Sequence, residues 1–346
     1  MRAVVTRQAG TMEVGDVAAP REPAAGEILV RPEAIGVCGS DYHFMTGELA
    51  LPPEFGPQFP RVQGHEFAAV IEAVGPDCPS ELEVGARVAV WPLSSCGRCY
   101  ACRIGRGNVC PNFRLIGIHT DGALQERLVV PAGQAFPVGD QDPVATAFVE
   151  PMSVAAWAVH RGRLAEGEHV AVLGAGPIGQ AAVLCARARG AEAIITDFVQ
   201  SRLDLAATAG AETVNLGERD DAVAYVREWS GGEGPQLVVD CTGSPAAIRD
   251  AVEMVVSAGR VVIVGISHDE VRLPIWNFTA KEFDMLGSSV CDAERFAEAV
   301  RIVGASQDHV RRLITHERPL EEAPAAIEHA MRNPADVMKL VIRAAG

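Results

Sequence analysis

Val170-Ala171-Val172-Leu173-Gly174-Ala175-Gly176-Pro177-Ile178-Gly179 decides how the second half of the chain is read. Four apolar residues form a strand, a G-x-G-x-x-G run turns the chain, and Ile178–Arg189 leaves as an Ala-rich helix. Gly174 permits the tight turn, Gly176 lets backbone approach a pyrophosphate, and Gly179 lets the helix pack on the strand. The helix start at Pro177 and Ile178 offers unpaired N–H groups and partial positive charge to phosphates. A second strand, Ala193–Thr196, is followed by Asp197, placed where an acidic residue binds the hydroxyls of an adenosine ribose. A carboxylate there repels a 2′-phosphate, which favours NAD over NADP. Arg202, slightly further on, is positioned to flank the adenine or the ribose. The alternative is a glycine turn with no ligand, which leaves the order strand, turn, helix, acid unexplained.

The alternation continues through helix Arg202–Ala209, strand Leu237–Asp240, helix Ala246–Val256 and strand Arg260–Gly265. Strands alternating with helices predict a parallel sheet covered on both faces. Thr242, Gly265 and Ser288 complete the expected cofactor contacts. Residues 1 to about 150 have a different texture, with strand-like Ile28–Arg31, Glu66–Ala73 and Arg87–Val90 punctuated by Gly and Pro. Pro52-Pro53-Glu54-Phe55-Gly56-Pro57 reads as a loop walling a site that contains Cys38 and His65. After about residue 288 the pattern gives one more helix, Ala293–Val303, and a closing strand, Val337–Arg343. That segment is returned to the first domain, which makes it discontinuous: residues 1–152 and 288–346, around a nucleotide-binding domain of 153–287.

Cys96, Cys99, Cys102 and Cys110 form a tight cluster in a chain with nine cysteines. Four thiolates at such spacings can close a tetrahedral cage around Zn²⁺. Such a cage leaves no position for substrate, so this metal would be structural, in a lobe of about 94–112. Four reduced thiols or two disulfides are the competing readings. Cys78, Cys185, Cys241 and Cys291 have no partner at metal spacing, and Cys185 reads as core filler.

The 346 residues suffice for two domains, with 48% hydrophobic and 22% charged residues. The formal charge of -15 argues against nucleic-acid or anionic-membrane partners. The first residues are too polar for a signal peptide, and the charge-free run Val170–Ala186 is too short and glycine-rich to span a bilayer. A reducing cytoplasm is therefore expected.

Apart from the cysteine cluster, Cys38 in Val37-Cys38-Gly39-Ser40-Asp41, His65 and Glu66 in Gly64-His65-Glu66, and Glu150 before Pro151 offer a second ligand set. Thiolate, imidazole and carboxylate make a zinc site with a position left for substrate. The cysteine lobe, Cys-Gly-Ser-Asp, Gly-His-Glu and the later glycine run, in this order, resemble the zinc-dependent medium-chain alcohol dehydrogenases. The resemblance covers nearly the whole chain. Glu150 standing where those enzymes supply a second cysteine is similar to the polyol and sorbitol branch, including sugar-acid 5-dehydrogenases.

The resemblance implies a Rossmann doubly wound sheet plus a discontinuous GroES-like β-rich catalytic domain, an α/β fold. It implies a catalytic zinc on Cys38 and His65 with Glu66 or Glu150 as the third ligand, and Asp41 holding the far side of His65. It also implies Ser40 and His43 as a proton relay, and NAD⁺ as hydride acceptor from a secondary alcohol. His119 is expected either near the pocket or in a surface turn. Val290 or Ser289 stands where some relatives place an arginine, which favours a neutral polyol, cyclitol or vicinal diol; threonine 3-dehydrogenase or 2,3-butanediol dehydrogenase activity is the alternative. A zinc-free quinone or enone reductase and a non-catalytic binding protein are the rival classes, and neither calls for both metal sets. A homodimer or homotetramer is implied, with Ala258–Ser267 a candidate sheet edge.

Overall fold

Val- and Ile-rich runs build the sheet of one half of the chain. The computed structural model describes residues 1–47 and 58–344 and divides into two units, Met1–Glu150 with Asp292–Gly346, and Pro151–Cys291. The second unit carries six parallel strands, in the order Glu212–Asn215, Glu192–Asp197, His169–Leu173, Leu237–Asp240, Arg260–Ile263, Asp284–Gly287. Val170, Ala171, Val172, Val238, Val239 and Val261 have no exposed surface, as a sheet covered on both faces requires. Helices Ala222–Trp229 and Pro245–Met254 contribute Val226, Ala251 and Val252 to the core beside Leu173 and Ile194.

Winding reverses between His169–Leu173 and Leu237–Asp240, the switch point at which doubly wound sheets open to ligands. The loops leaving those two strands begin at Gly174 and Cys241. The expected fold class is thus the observed one. The expected sheet edge is not: Arg260–Ile263 is paired on both sides, and Asp284–Gly287 lies outside it. Asp284–Gly287 is short and half-exposed, so it carries no apolar run that sequence reading could detect.

The other unit holds a mostly antiparallel sheet, ordered Ala135–Pro137, Arg87–Val90, Glu66–Val74, Glu27–Gly36, Leu340–Arg343, His316–Pro319, with Leu128–Pro131 also pairing Glu27–Gly36. Leu340–Arg343 pairs directly with Glu27–Gly36, so the end of the chain completes a sheet begun near its start. Its core includes Val4, Ile28, Ile35, Phe67, Ile71, Leu124 and Ile342.

A separate three-stranded sheet sets Arg2–Gln8 between Thr11–Asp16 and Arg61–Val62, with Thr6 opposite Arg61. Beyond Asp292 the chain forms three helices, Ala293–Ala305, Gln307–Leu313 and Ala323–Arg332, where one was expected. Gln307–Leu313 is short, and Pro324 sits in the first turn of the last helix, where proline is tolerated rather than helix-breaking. The closing strand begins at Leu340 rather than Val337. The expected loop at residues 52–57 lies outside the described residues. No helix among the described residues is long and apolar enough to cross a membrane.

Candidate metal and cofactor sites

Strand register assembles the first site. Gly36 pairs with Glu66 at the junction of Glu27–Gly36 and Glu66–Val74, which brings Cys38, just past one strand, to His65, just before the other. The donor atoms of Cys38, His65 and Glu66 all lie within 4.8 Å of one another. His65 and Glu66 are buried and Cys38 is half-buried. Cys38 also stands at the N-terminus of the helix Gly39–Thr46, and the Asp41 carboxylate in its first turn accepts the Cys38 N–H at 2.9 Å through Oδ2. The other oxygen, Oδ1, lies 3.6 Å from His65 Nδ1. With Nδ1 facing a carboxylate, Nε2 is the ring nitrogen that a metal would take in exchange for its proton.

Two buried partners stand behind Asp41. Gln63 Nε2 donates to the Asp41 carbonyl at 2.9 Å and to Oδ1 at 3.3 Å, and Thr6 Oγ1 donates to Gln63 Oε1 at 2.6 Å. Ser40 Oγ is 3.5 Å from His65 Nε2, and His43, one turn further along the same helix, is exposed. Lys339 is buried too: its ammonium donates to the Val37 carbonyl at 2.9 Å and forms an ion pair with Glu66.

The electrostatics follow from this packing. Burial disfavours a charged ring at His65, yet the negative charge of Asp41, with Cys38 adding, holds its pKa well above the ordinary value. Burial likewise opposes ionisation of Asp41, and the nearby His65 charge with the hydrogen bond from the Cys38 N–H brings its pKa below the usual range. At Lys339 burial is outweighed by Glu66 and Cys38, so its pKa is raised.

Glu150 lies buried in the first turn of the helix Val149–Arg161. Burial pushes its carboxyl up to about 7, with His65 and Lys339 opposing and Glu66 and Asp41 adding. It is not one of the three converging donors, yet it lies within their electrostatic reach. A thiol, an imidazole and two carboxylates gathered in a buried place suit a zinc ion with an open position.

The second cluster is the cysteine lobe. Cys99 Sγ is 3.4 Å from Cys102 Sγ and 3.7 Å from Cys110 Sγ. These separations far exceed the ~2.05 Å of a disulfide and approach the ~3.8 Å edge of a tetrahedral zinc–sulfur cage. None of the nine cysteines forms a disulfide, so the disulfide reading does not describe this structure. Backbone N–H groups of Cys96 and Asn112 point at Cys110 Sγ at 3.4 and 3.3 Å, and that of Cys102 at Cys99 Sγ at 3.4 Å. Hydrogen bonds from the Arg98 and Cys99 backbone pull the Cys96 thiol down to about 6. Cys96, Cys99, Cys102 and Cys110 thus fit a closed zinc site.

Elsewhere, buried Cys185 lies 3.5 Å from the Met152 sulfur, Cys291 Sγ lies 3.1 Å from Ser153 Oγ, and burial pushes the Cys241 thiol up.

The third site is the glycine turn. Gly174 adopts φ +95°, a conformation that favours glycine, and its N–H donates to the Thr196 carbonyl at 2.9 Å. A Cβ at Gly179 would run into the Gly174 carbonyl oxygen, whereas one at Gly176 would meet nothing within 4 Å. The helix Pro177–Ala188 starts from Gly176 without a side-chain cap, so its first N–H groups are available to an anion; Ile178 follows in the first turn.

Asp197 ends its strand with both oxygens held: Oδ2 accepts from Ala175 N–H at 2.7 Å and Oδ1 from Val199 N–H at 2.9 Å. Arg202, half-buried in the helix Gln200–Thr208, has its carbonyl bound by Gln180 Nε2 at 2.8 Å. Thr242 donates its hydroxyl to Asp240 at 2.6 Å, and the Gly243 N–H does so at 2.9 Å. A Cβ at Gly265 would strike Gly243, so this loop and Gly265 are in close contact, and a Cβ at Gly174 would meet Thr242 at 2.7 Å. Ser288 N–H donates to Ile263 at 2.9 Å, and its hydroxyl oxygen is buried without a hydrogen-bond partner among the described residues. An open glycine, an uncapped helix start and a fixed carboxylate suit a dinucleotide.

His119 holds a turn together: its Nδ1 accepts from the Leu115 N–H at 3.0 Å, and its ring packs edge-on against Phe113. Sequence reading missed Thr6, Gln63 and Lys339. The available signals were Thr6 directly after Ala3-Val4-Val5 and Lys339 directly before Leu340-Val341-Ile342, and a polar residue bordering an apolar run names no partner.

Residues 24–140 match the family model of the alcohol dehydrogenase GroES-like domain, and residues 177–305 that of the zinc-binding dehydrogenases. L-galactonate-5-dehydrogenase of Escherichia coli (strain K12) is 34% identical over 320 residues, 92% of each chain. Sorbitol dehydrogenase of Bacillus subtilis (strain 168) is 32% identical, over 91% of this chain and 90% of that one. A protein of Sinorhizobium meliloti 1021, solved bound to NADP, has a TM-score of 0.89 at 32% identity, covering 99% of this chain and 98% of that one.

Proposed function

Because this chain belongs to the zinc-type medium-chain alcohol dehydrogenases, in the polyol branch, we infer that it oxidises a secondary alcohol of a polyol, cyclitol or sugar derivative with NAD⁺. Alcohol dehydrogenase activity with zinc and a nicotinamide dinucleotide is the family's chemistry. The relatives named for L-galactonate and sorbitol support a polyhydroxylated substrate. The observation that carries the reading is the convergence of Cys38, His65 and Glu66 within 4.8 Å, with buried Glu150 in electrostatic reach.

When bound, zinc supplies a Lewis acid that lowers the pKa of a hydroxyl, and the dinucleotide accepts hydride. In this reading Cys38, His65 and either Glu66 or Glu150 hold the catalytic zinc, and the four lobe cysteines hold the structural one. Asp41 fixes the His65 tautomer through Nδ1. Ser40 Oγ stands beside His65, where it would accept the hydroxyl proton while giving up its own, in a relay that ends at exposed His43 and water. Glycines 174, 176 and 179 with the helix start at Pro177 and Ile178 seat the pyrophosphate, and Thr242, Gly265 and Ser288 line the same cofactor. Arg202 flanks the adenosine.

The choice of NAD⁺ rests on Asp197, whose carboxylate is held in place by two backbone N–H groups and repels a 2′-phosphate. The similar protein that binds NADP makes a direct comparison necessary. The test is reduction of NAD⁺ and NADP⁺ by zinc-replete protein across alditols, cyclitols, sugar acids, vicinal diols and threonine. Turnover of one polyhydroxylated group with NAD⁺ is expected. Silence across those groups, or turnover of threonine alone, overturns the substrate assignment. A homodimer or homotetramer belongs to the same reading and is checked by light scattering.

A further inference from the structure

Thr6 and Gln63 are fully buried polar side chains in a core whose nearest chain neighbours are Ala3, Val4, Val5 and Val62. Nothing about the sheet that places Thr6 opposite Arg61 demands a hydroxyl there, since valine fits such a strand as well. A buried amide and hydroxyl are costly unless paired, and here the hydroxyl has Gln63 as its partner and the amide has Asp41 and Thr6. The pairing also has a direction. Gln63 faces two acceptors on Asp41, the carbonyl and Oδ1, so its NH₂ must point there and its Oε1 away. Oε1 then needs a donor, and the Thr6 hydroxyl, 2.6 Å distant, is that donor.

Asp41 is consequently held from three sides. Oδ1 receives Gln63 and faces His65 Nδ1, Oδ2 receives the Cys38 N–H, and its carbonyl receives the second amide hydrogen of Gln63. A carboxylate on an exposed turn rotates about its side-chain torsions, whereas this one cannot turn without breaking a buried bond.

We propose that Thr6 and Gln63 are positioning residues for the catalytic metal: the chain Thr6–Gln63–Asp41 locks the carboxylate that orients His65 and the backbone of Cys38, and so sets how firmly the site retains its ion. This rests on the reading of Cys38 and His65 as zinc ligands. Loss of partners behind a ligand histidine typically weakens metal retention by about 10–100-fold. One step further out, the lower end of that range is the expectation.

The test uses the full-length protein loaded with Co²⁺, whose visible spectrum reports the geometry of thiolate and imidazole ligation, and release of each metal to a chelator. Thr6→Val removes one oxygen at nearly constant volume, Thr6→Ser restores the hydroxyl, and Gln63→Leu removes the amide. Thr6→Val and Gln63→Leu should release the catalytic-site metal about tenfold faster and shift its spectrum. Thr6→Ser should behave as wild type, and release from the four-cysteine lobe should stay unchanged in all. If Gln63→Leu does not fold, the Thr6 pair carries the comparison. Variants that melt earlier yet keep wild-type spectra and release rates make the network merely structural and overturn the proposal. Wild-type protein that binds metal in the lobe alone overturns the zinc reading itself, and the proposal with it.

Discussion

Replacing Lys339 with Met keeps the length of the side chain and deletes the ammonium that faces Glu66. The two side chains are 5% and 2% exposed, so water cannot replace the missing partner. Breaking a buried ion pair from one side typically costs about 3–5 kcal/mol, and here the Val37 carbonyl also loses a charged donor. For a folding unit of roughly 200 residues each kcal/mol lowers Tm by about 2–4 °C, so zinc-free K339M should melt about 10 °C below the zinc-free wild type.

The pH dependence has a definite sign. The folded pKa of Lys339 is raised, so its contribution is complete below the unfolded value near ~10.4 and constant through neutrality. K339M should therefore melt below wild type at both pH 5 and pH 8. K339M/E66Q removes both charges and should recover part of the loss. Calorimetry of the three chelator-treated variants and wild type at both pH values checks this. A drop of under about 2 °C for K339M at pH 8, or a double variant no more stable than the single, refutes the reasoning.

Gly179→Ala should abolish measurable dinucleotide binding in a fluorescence titration, because its methyl would occupy the position of the Gly174 carbonyl; affinity within threefold of wild type would refute this. Asp197→Ser should raise the kcat/KM ratio of NADP⁺ over NAD⁺ by at least about tenfold, and an unchanged ratio places cofactor choice elsewhere. In Cys99→Ser the zinc content should fall by one ion per chain, with the lobe more open to protease; full zinc content would contradict the cage. Glu150 has a folded pKa raised to about 7, so the metal-free protein should lose stability as pH rises from about 4.5 to 7 and level off above. Glu150→Gln should flatten that slope in pH-dependent melts, and an identical slope would show that another group causes it.

What could be read from the sequence was what is local. The glycine turn is written in six consecutive residues because tight turns and close approaches need glycine at fixed offsets, and Gly174 and Gly179 meet those needs in the structure. The cysteine lobe is legible for the same reason, since its four cysteines fall within fifteen residues. Cys38, His65 and Glu150 carried little weight singly and gained it from the family resemblance.

Long-range partners were invisible. Lys339 meets the Val37 carbonyl across 302 residues because Leu340–Arg343 pairs with Glu27–Gly36, and no local pattern announces that pairing. Thr6 and Gln63 are likewise 57 positions apart. Pro151 sits in the first turn of Val149–Arg161, where the missing N–H is not needed, and that helix is what presents Glu150.

Gly36 connects these observations to how the molecule can change. It pairs with Glu66 across the sheet, and a Cβ on it would drive into the Glu66 carboxylate and come within 3.2 Å of the Lys339 stem. The absence of a side chain at position 36 is therefore the room in which the buried ion pair sits. Positions 36, 66 and 339 form one mutational unit: a larger residue at 36 is admissible only where the acid is shortened or lost, and loss of the acid strands the lysine. Single-step drift at any of the three passes through a damaged intermediate, so divergence here should proceed by coordinated replacement or not at all.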